Sequence, residues 1–143
     1  MVNRDLVIQK LDSMKRYLSE LATFKGLTFE EHEGTIHNRR SVERLIQLLV
    51  ECASDVNSHI LAKEENAAVE SCRSSFIVMG EKGYLDKKLA SGLSKAAGMR
   101  NILMHEYEKI DDRAVYDTIP LAISSFQTYM REILLFLGNA MPP

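Results

Sequence analysis

The stretch GMRNILMHEYEKI, Gly98 to Ile110, places Arg100, Asn101, His105 and Tyr107 within eight positions of a segment that otherwise reads as an apolar helix. Leu89, Leu93, Ala96, Ala97, Leu103 and Met104 give that helix an apolar side, and Asp86 stands where a cap is needed. Successive residues of an α-helix turn by about 100°. Continued regularly, the helix brings Arg100 and Tyr107 within about 20° of each other and sets Asn101 and His105 on a neighbouring face. Four polar heads are therefore expected together at one helix end. Each has an ordinary structural use: Arg100 could pair with Glu51 or Asp55, His105 could meet last-turn carbonyls, and Tyr107 could staple the next loop. Gly98 inside a helix costs ~1 kcal/mol against alanine, so either close packing along Ala96, Ala97 and Gly98 or a functional need is expected there.

Outward from this segment the chain remains helical. From Asn3 to about Lys25, Val7, Leu11, Met14, Leu18 and Leu21 recur at steps of four and three, until Gly26. Thr28 and Glu31 are spaced as a capping box for a short helix ending at Gly34. The run from about Thr35 to Lys63 sets Leu45, Leu48, Leu49, Cys52, Val56 and Ile60 toward a core, with Arg40, Arg44, Gln47, Glu51 and Asp55 opposite. Ser71 to Lys82 carries Phe76, Ile77 and Met79 and stops at Gly83. Arg113 to Ile119 leads to Pro120, which either begins the last helix, LAISSFQTYMREILLFL, or kinks one already started. The expected fold is all-α, an antiparallel bundle of about five helices. Residues 1–143 form a single domain, with 139–143 frayed.

At 143 residues the chain is long enough to bury roughly two-thirds of its unfolded surface without disulfides or metal. Its start has no apolar leader and ILLFL is far too short to cross a bilayer, so a cytoplasmic protein with no membrane partner is expected. Cys52 and Cys72 lack a C-x-x-C arrangement and read as reduced thiols. A net charge of −2 leaves the whole chain without a nucleic-acid footprint, but the charge is unevenly spread. Leu27 to Glu70 holds nine acids against four bases, whereas Lys82 to Arg113 holds seven bases against five acids. The opening stretch lies on the positive side. His32 and His37, five apart, do not share a helical face as the H-E-x-x-H spacing requires, so no metal site is expected there. His59 is expected as a satisfied, partly buried histidine at the edge of its helix's apolar face.

RNILMHEY resembles the R-x4-H-x-Y motif of HepT-like toxins, a branch of the HEPN superfamily of all-helical ribonucleases. The similarity extends further: ERLIQLLVECASDVNSHIL is similar to that family's second helix, with Glu51 and Asp55 as its acids, and GMRNILMHEYEKIDDRAVYDTIPLAI follows its fourth helix and the turn into the last. The resemblance implies a toxin ribonuclease of a bacterial toxin–antitoxin pair. Such enzymes cleave without metal or cofactor, using the ribose 2′-hydroxyl as an internal nucleophile, so RNA and not DNA is the implied substrate. It further implies a homodimer, which brings two motifs to one groove, and a cognate nucleotidyltransferase antitoxin of the minimal (MNT) type that silences the toxin by AMPylation of Tyr107. The alternative is a non-catalytic module of the same family that assists a partner nucleotidyltransferase.

The residue types suit the implied chemistry. Histidine exchanges a proton near its ordinary pKa of ~6.5, making His105 the candidate general acid or base. Arg100 stays charged and presents a planar fork to a scissile phosphate. Asn101 is positioned to orient either one, and Glu51 or Asp55 to support His105 from behind. Tyr107, a phenol with an ordinary pKa of ~10, is a poor base and fits the modification role.

Overall fold

A computed structural model describes residues 1–140, and every regular element in it is helical. In chain order these are α1 (Arg4–Ala22), α2 (Phe29–Gly34), α3 (Ile36–Glu64), α4 (Cys72–Glu81), α5 (Lys87–His105), a 3-10 turn (Tyr107–Lys109) and α6 (Asp112–Ala140). Six α-helices make up the expected all-α bundle, the short helix expected before Gly34 being α2. Of the expected frayed tail, the helix continues through Ala140, and 141–143 lie outside the described residues. Pro120 lies inside α6, so the last helix has started well before it.

Local chemistry sets the boundaries. The Asn3 side chain accepts from the Leu6 N–H at 3.2 Å and starts α1. Thr28 and Glu31 form the reciprocal capping box of α2, at 3.1 and 2.9 Å. Thr35 caps α3, Ser71 caps α4, and the Asp86 carboxylate caps α5 by accepting from Lys88 and Leu89 N–H groups. Gly83 turns the chain between α4 and α5 at φ 84°, where a side chain would be strained.

The 29-residue α3 is the central helix, packed against α1, α2, α4, α5 and α6. That position explains why its core is wider than one stripe. Leu45, Leu49, Cys52, Val56 and Ile60 are buried as expected, but so are Val42, Ile46, Val50, Ala53 and Leu61. Leu48, expected in the core, is only half-buried and lines a surface cleft. Close backbone approach also falls elsewhere than expected. A Cβ at Gly98 would meet nothing within 4 Å, whereas one at Gly80 would come to 2.7 Å from Ala90 Cβ, so α4 and α5 meet at Gly80. The buried centre holds one polar seam: the Tyr129 hydroxyl donates to Asn57 Oδ1 at 2.6 Å, and Asn57 donates to Ser75 Oγ at 3.1 Å.

Candidate functional site

Helix α5 is anchored at its start and open at its end. Ala90, Leu93, Ser94 and Ala97 are buried. From Gly98 to Leu103 the residues are half-buried, and Met104 to Lys109 are exposed, so Leu103 packs against the edge of the core while Met104 does not join it as its spacing suggests. The helix stops at His105 because Glu106 leaves helical geometry at φ −130°, ψ 49°, although its N–H still reaches the Ile102 carbonyl at 3.0 Å. The next residues tighten into the 3-10 turn, and Ile110 dips back toward the core.

This break alters the expected constellation. The extrapolation that put Tyr107 on the same helical face as Arg100 does not apply, since Tyr107 lies beyond the end of α5. Its half-exposed ring instead receives Arg40 of α3, whose guanidinium carbon sits 4.6 Å from the ring centroid. Arg40 also donates to both carboxylate oxygens of Glu43 at 3.0 Å. Glu43 is 6% exposed, and burial pushes its carboxyl above the usual carboxylate range while Arg40 opposes the shift. Sequence reasoning places Arg40 on the polar face of α3 without a functional role and does not name Glu43; the i,i+3 spacing of the two is the available signal.

Arg100 is held from two sides. It donates to Glu51 at 3.3 Å and to the Asn101 side-chain oxygen at 3.2 Å, and the same Glu51 oxygen accepts from Gln47 at 3.1 Å. The buried Nε of Arg100 has no hydrogen-bond partner among the described residues. Of the two carboxylates expected behind His105, Glu51 instead pairs with Arg100. Asp55 goes elsewhere, pairing with Lys10 of α1 at 2.8 Å. His105 is exposed and, with Glu106, Tyr107, Glu108 and Lys109, lines an open hollow of about 410 Å³. An arginine fork, an amide and a solvent-facing imidazole thus share the last turns of one helix, an arrangement able to hold an anion and to exchange a proton.

The other histidines have separate surroundings. His59 accepts from the Asn3 N–H at 2.8 Å, the partly buried role expected of it. His32 is fully buried beside Phe29 and Tyr116, while His37 is exposed. Among the described residues no three His, Cys, Asp or Glu side chains group as a metal site would need. No helix among them is long and apolar enough to cross a membrane.

The family described as ribonuclease HepT-like matches residues 14–133, which include Arg100, Asn101, His105 and Tyr107. A protein named tRNA nuclease HepT from Aphanizomenon flos-aquae is 32% identical over 132 residues, covering 92% of this chain and 90% of that protein. One named mRNA nuclease HepT from Shewanella oneidensis is 23% identical over 127 residues, covering 88% and 94%. Among solved structures, a tri-AMPylated HEPN toxin of Shewanella oneidensis in complex with MNT antitoxin superimposes with a TM-score of 0.85 at 22% identity, covering 93% of this chain and 99% of that one. At that identity the superposition speaks for the fold.

Proposed function

The chain belongs to the HepT-like ribonuclease family, and on that premise we propose that it is the toxin ribonuclease of a bacterial toxin–antitoxin pair acting in the cytoplasm. The observation that carries this reading is the exposure of His105 on the same last turns of α5 where Glu51 and Asn101 hold Arg100.

The proposed reaction is an internal transfer. A general base takes the proton of the ribose 2′-hydroxyl, the 2′-oxygen bonds to phosphorus, and the bond to the 5′-oxygen breaks as a general acid protonates the leaving group. The products are a 2′,3′-cyclic phosphate and a 5′-hydroxyl, with no metal taking part. His105 serves one proton transfer, and a second copy of the chain in a homodimer supplies the other. Exposed Leu121, Leu134 and Leu135 along α6 support self-association. Arg100 binds the phosphate and offsets the charge that accumulates in the transition state, with Glu51 fixing its fork. Asn101 orients that fork through its side-chain oxygen.

Control is assigned to Tyr107 and a cognate nucleotidyltransferase antitoxin of the MNT type. The phenol gives up its proton to solvent as its oxygen bonds to the α-phosphorus of ATP and pyrophosphate leaves, which adds bulk and negative charge beside His105. The relative's tri-AMPylated state and the half-exposed ring of Tyr107 support this assignment.

The test is cleavage of RNA by purified, unmodified protein in the presence of chelator. Cyclic phosphate ends are expected, and an RNA with a 2′-deoxy sugar at the cut site should resist. Metal-dependent cleavage leaving 3′-hydroxyl ends would exclude the mechanism. Intact RNA together with tight binding of a nucleotidyltransferase would favour the non-catalytic docking role.

A further inference from the structure

Beside the motif, but outside it, the last turn of α1, the turn that follows it and the first half of α3 line an open cleft of about 550 Å³, within the ~300–1,000 Å³ common for small-ligand sites. Its two sides differ in chemistry. His37, Arg40 and Arg44 line one side at positions i, i+3 and i+7 of α3, which places them along one helical face. Phe24, beyond the end of α1, and Leu45 and Leu48 of α3 add apolar lining. Glu20 is the one carboxylate in the lining. Arg44 is exposed and, unlike Arg40, makes no ion pair among the described residues.

The cleft also shares a wall with the motif. Arg40 lines it while stacking on Tyr107, and Tyr107 lines the hollow that contains His105. A ligand that suits both sides has an anionic group for the arginines and a flat apolar face for the aromatic ring. A chain of such units, one at His105 and the next across Arg40, is a single-stranded nucleic acid.

Building on the ribonuclease reading, we propose that this cleft is a substrate subsite: it takes a nucleotide of the RNA neighbouring the scissile phosphate, with Arg44 and His37 on the phosphate and Phe24 against the base. Contacts of this type are tolerant of sequence, because every base offers a π-face. The subsite lengthens the substrate the protein holds without selecting a base.

The test uses the full chain and a single-stranded RNA oligonucleotide that is 2′-O-methylated throughout and so cannot be cut, with binding read by fluorescence anisotropy at several salt concentrations. Arg44→Ala should weaken binding roughly three- to tenfold and reduce the slope of log affinity against log salt by about 0.7, the loss of one phosphate contact. Phe24→Leu should weaken binding about fivefold or more with an unchanged salt slope, because a stacking contact carries no counterions. Both should raise KM for a cleavable RNA in proportion. Lys88→Ala, which removes an exposed cation from the first turn of α5, serves as the electrostatic control. Wild-type affinity and slope in the Arg44 variant, or an equal loss with Lys88→Ala, would overturn the subsite while the nuclease assignment stood. If the wild-type protein neither bound nor cleaved RNA, the nuclease assignment would fail and the subsite with it.

Discussion

Asn57, Ser75 and Tyr129 occupy the buried centre of the bundle, whereas Arg100, Asn101 and His105 occupy the open end of α5. In the centre each polar group has a partner. Tyr129 donates to Asn57 and approaches the Ala53 carbonyl at 3.0 Å, Asn57 donates to Ser75, and Ser75 donates to the Cys72 carbonyl at 2.7 Å. At the helix end the partnering is incomplete: Arg100 is gripped on its two outer nitrogens, its Nε is left over, and His105 faces solvent. A buried polar group without a partner destabilises a fold, so closure is what stability selects. An exposed group left without a partner among the described residues, as His105 is, is what a ligand needs.

The largest expected effect breaks function and spares the fold. His105→Ala should lower RNA cleavage by about 10²–10⁴-fold, the range for a general acid or base. Arg100→Ala should cause a comparable loss through the phosphate. Because His105 is exposed and the Arg100–Glu51 pair is partly solvated, unfolding free energies should move by no more than about 1 kcal/mol. Kinetics beside denaturant melts separate the two quantities. Loss of fold in both variants would show that the helix end is structural, and the contrast between the two clusters would collapse.

The reverse experiment is Tyr129→Phe. It removes a fully buried hydroxyl and leaves the Asn57 oxygen without its donor, at an expected cost of about 1–3 kcal/mol. Cleavage at a temperature where the variant stays folded should match the wild type. A variant as stable as wild type would mean that the seam tolerates an open partner, contrary to the closure argued above.

A third measurement concerns the interior histidine that lacks this closure. His32 has neither ring nitrogen bonded to a described residue, and burial holds its pKa below the ordinary 6.5, with Arg39 acting in the same direction and Asp112 and Glu33 opposing. Below pH 6.5 the unfolded chain therefore takes up a proton that the folded chain refuses, and stability falls as pH falls. His59 has the same sign, through burial, Lys63 and the chain's amino terminus, and its acceptor role toward Asn3 requires an unprotonated Nε2. Between pH 7 and 5 each histidine should contribute at most ~1.4 kcal/mol per pH unit. His32→Leu should flatten the slope, and denaturant midpoints across that range would show it. An unchanged slope would remove His32 from the account.

These regions were unequally legible in the sequence. The caps at Thr28 and Asp86 were readable because each acts on its own next turn, while Ser71 was readable only as the start of its segment. The interior of α3 was readable on one face only. Five helices pack against it, so Val42, Ile46 and Val50 are buried for reasons that lie in partners distant in sequence. The candidate site was proposed from residue types, through the Arg100–His105 spacing, but its geometry was not legible. No glycine or proline announces the stop at Glu106, and a regular wheel carried Tyr107 to Arg100 when the chain in fact delivers it to Arg40. Asp55 and Glu51 are one turn apart and look equivalent in sequence; only the position of α1 decides that Lys10 takes the first and leaves the second for Arg100.

The smallest expected effect uses two glycines to sharpen the same contrast. Gly80 lies in the closed interior, where an added Cβ would meet Ala90 Cβ at 2.7 Å, so Gly80→Ala should destabilise by forcing α4 from α5. Gly98 lies two residues before Arg100, and a Cβ there meets nothing within 4 Å. Alanine at that helical position should therefore add about 0.5–1 kcal/mol of stability, a rise of roughly 2–4 °C in Tm. Packing within one chain gives no reason for glycine at that place, while a backbone left bare two residues before Arg100 suits close approach by something outside the chain. Gly98→Ala should thus melt later and cleave RNA more slowly. A variant that melts later and cleaves at the full rate would show that nothing approaches the backbone there, and the open character of the site would begin at Arg100 itself.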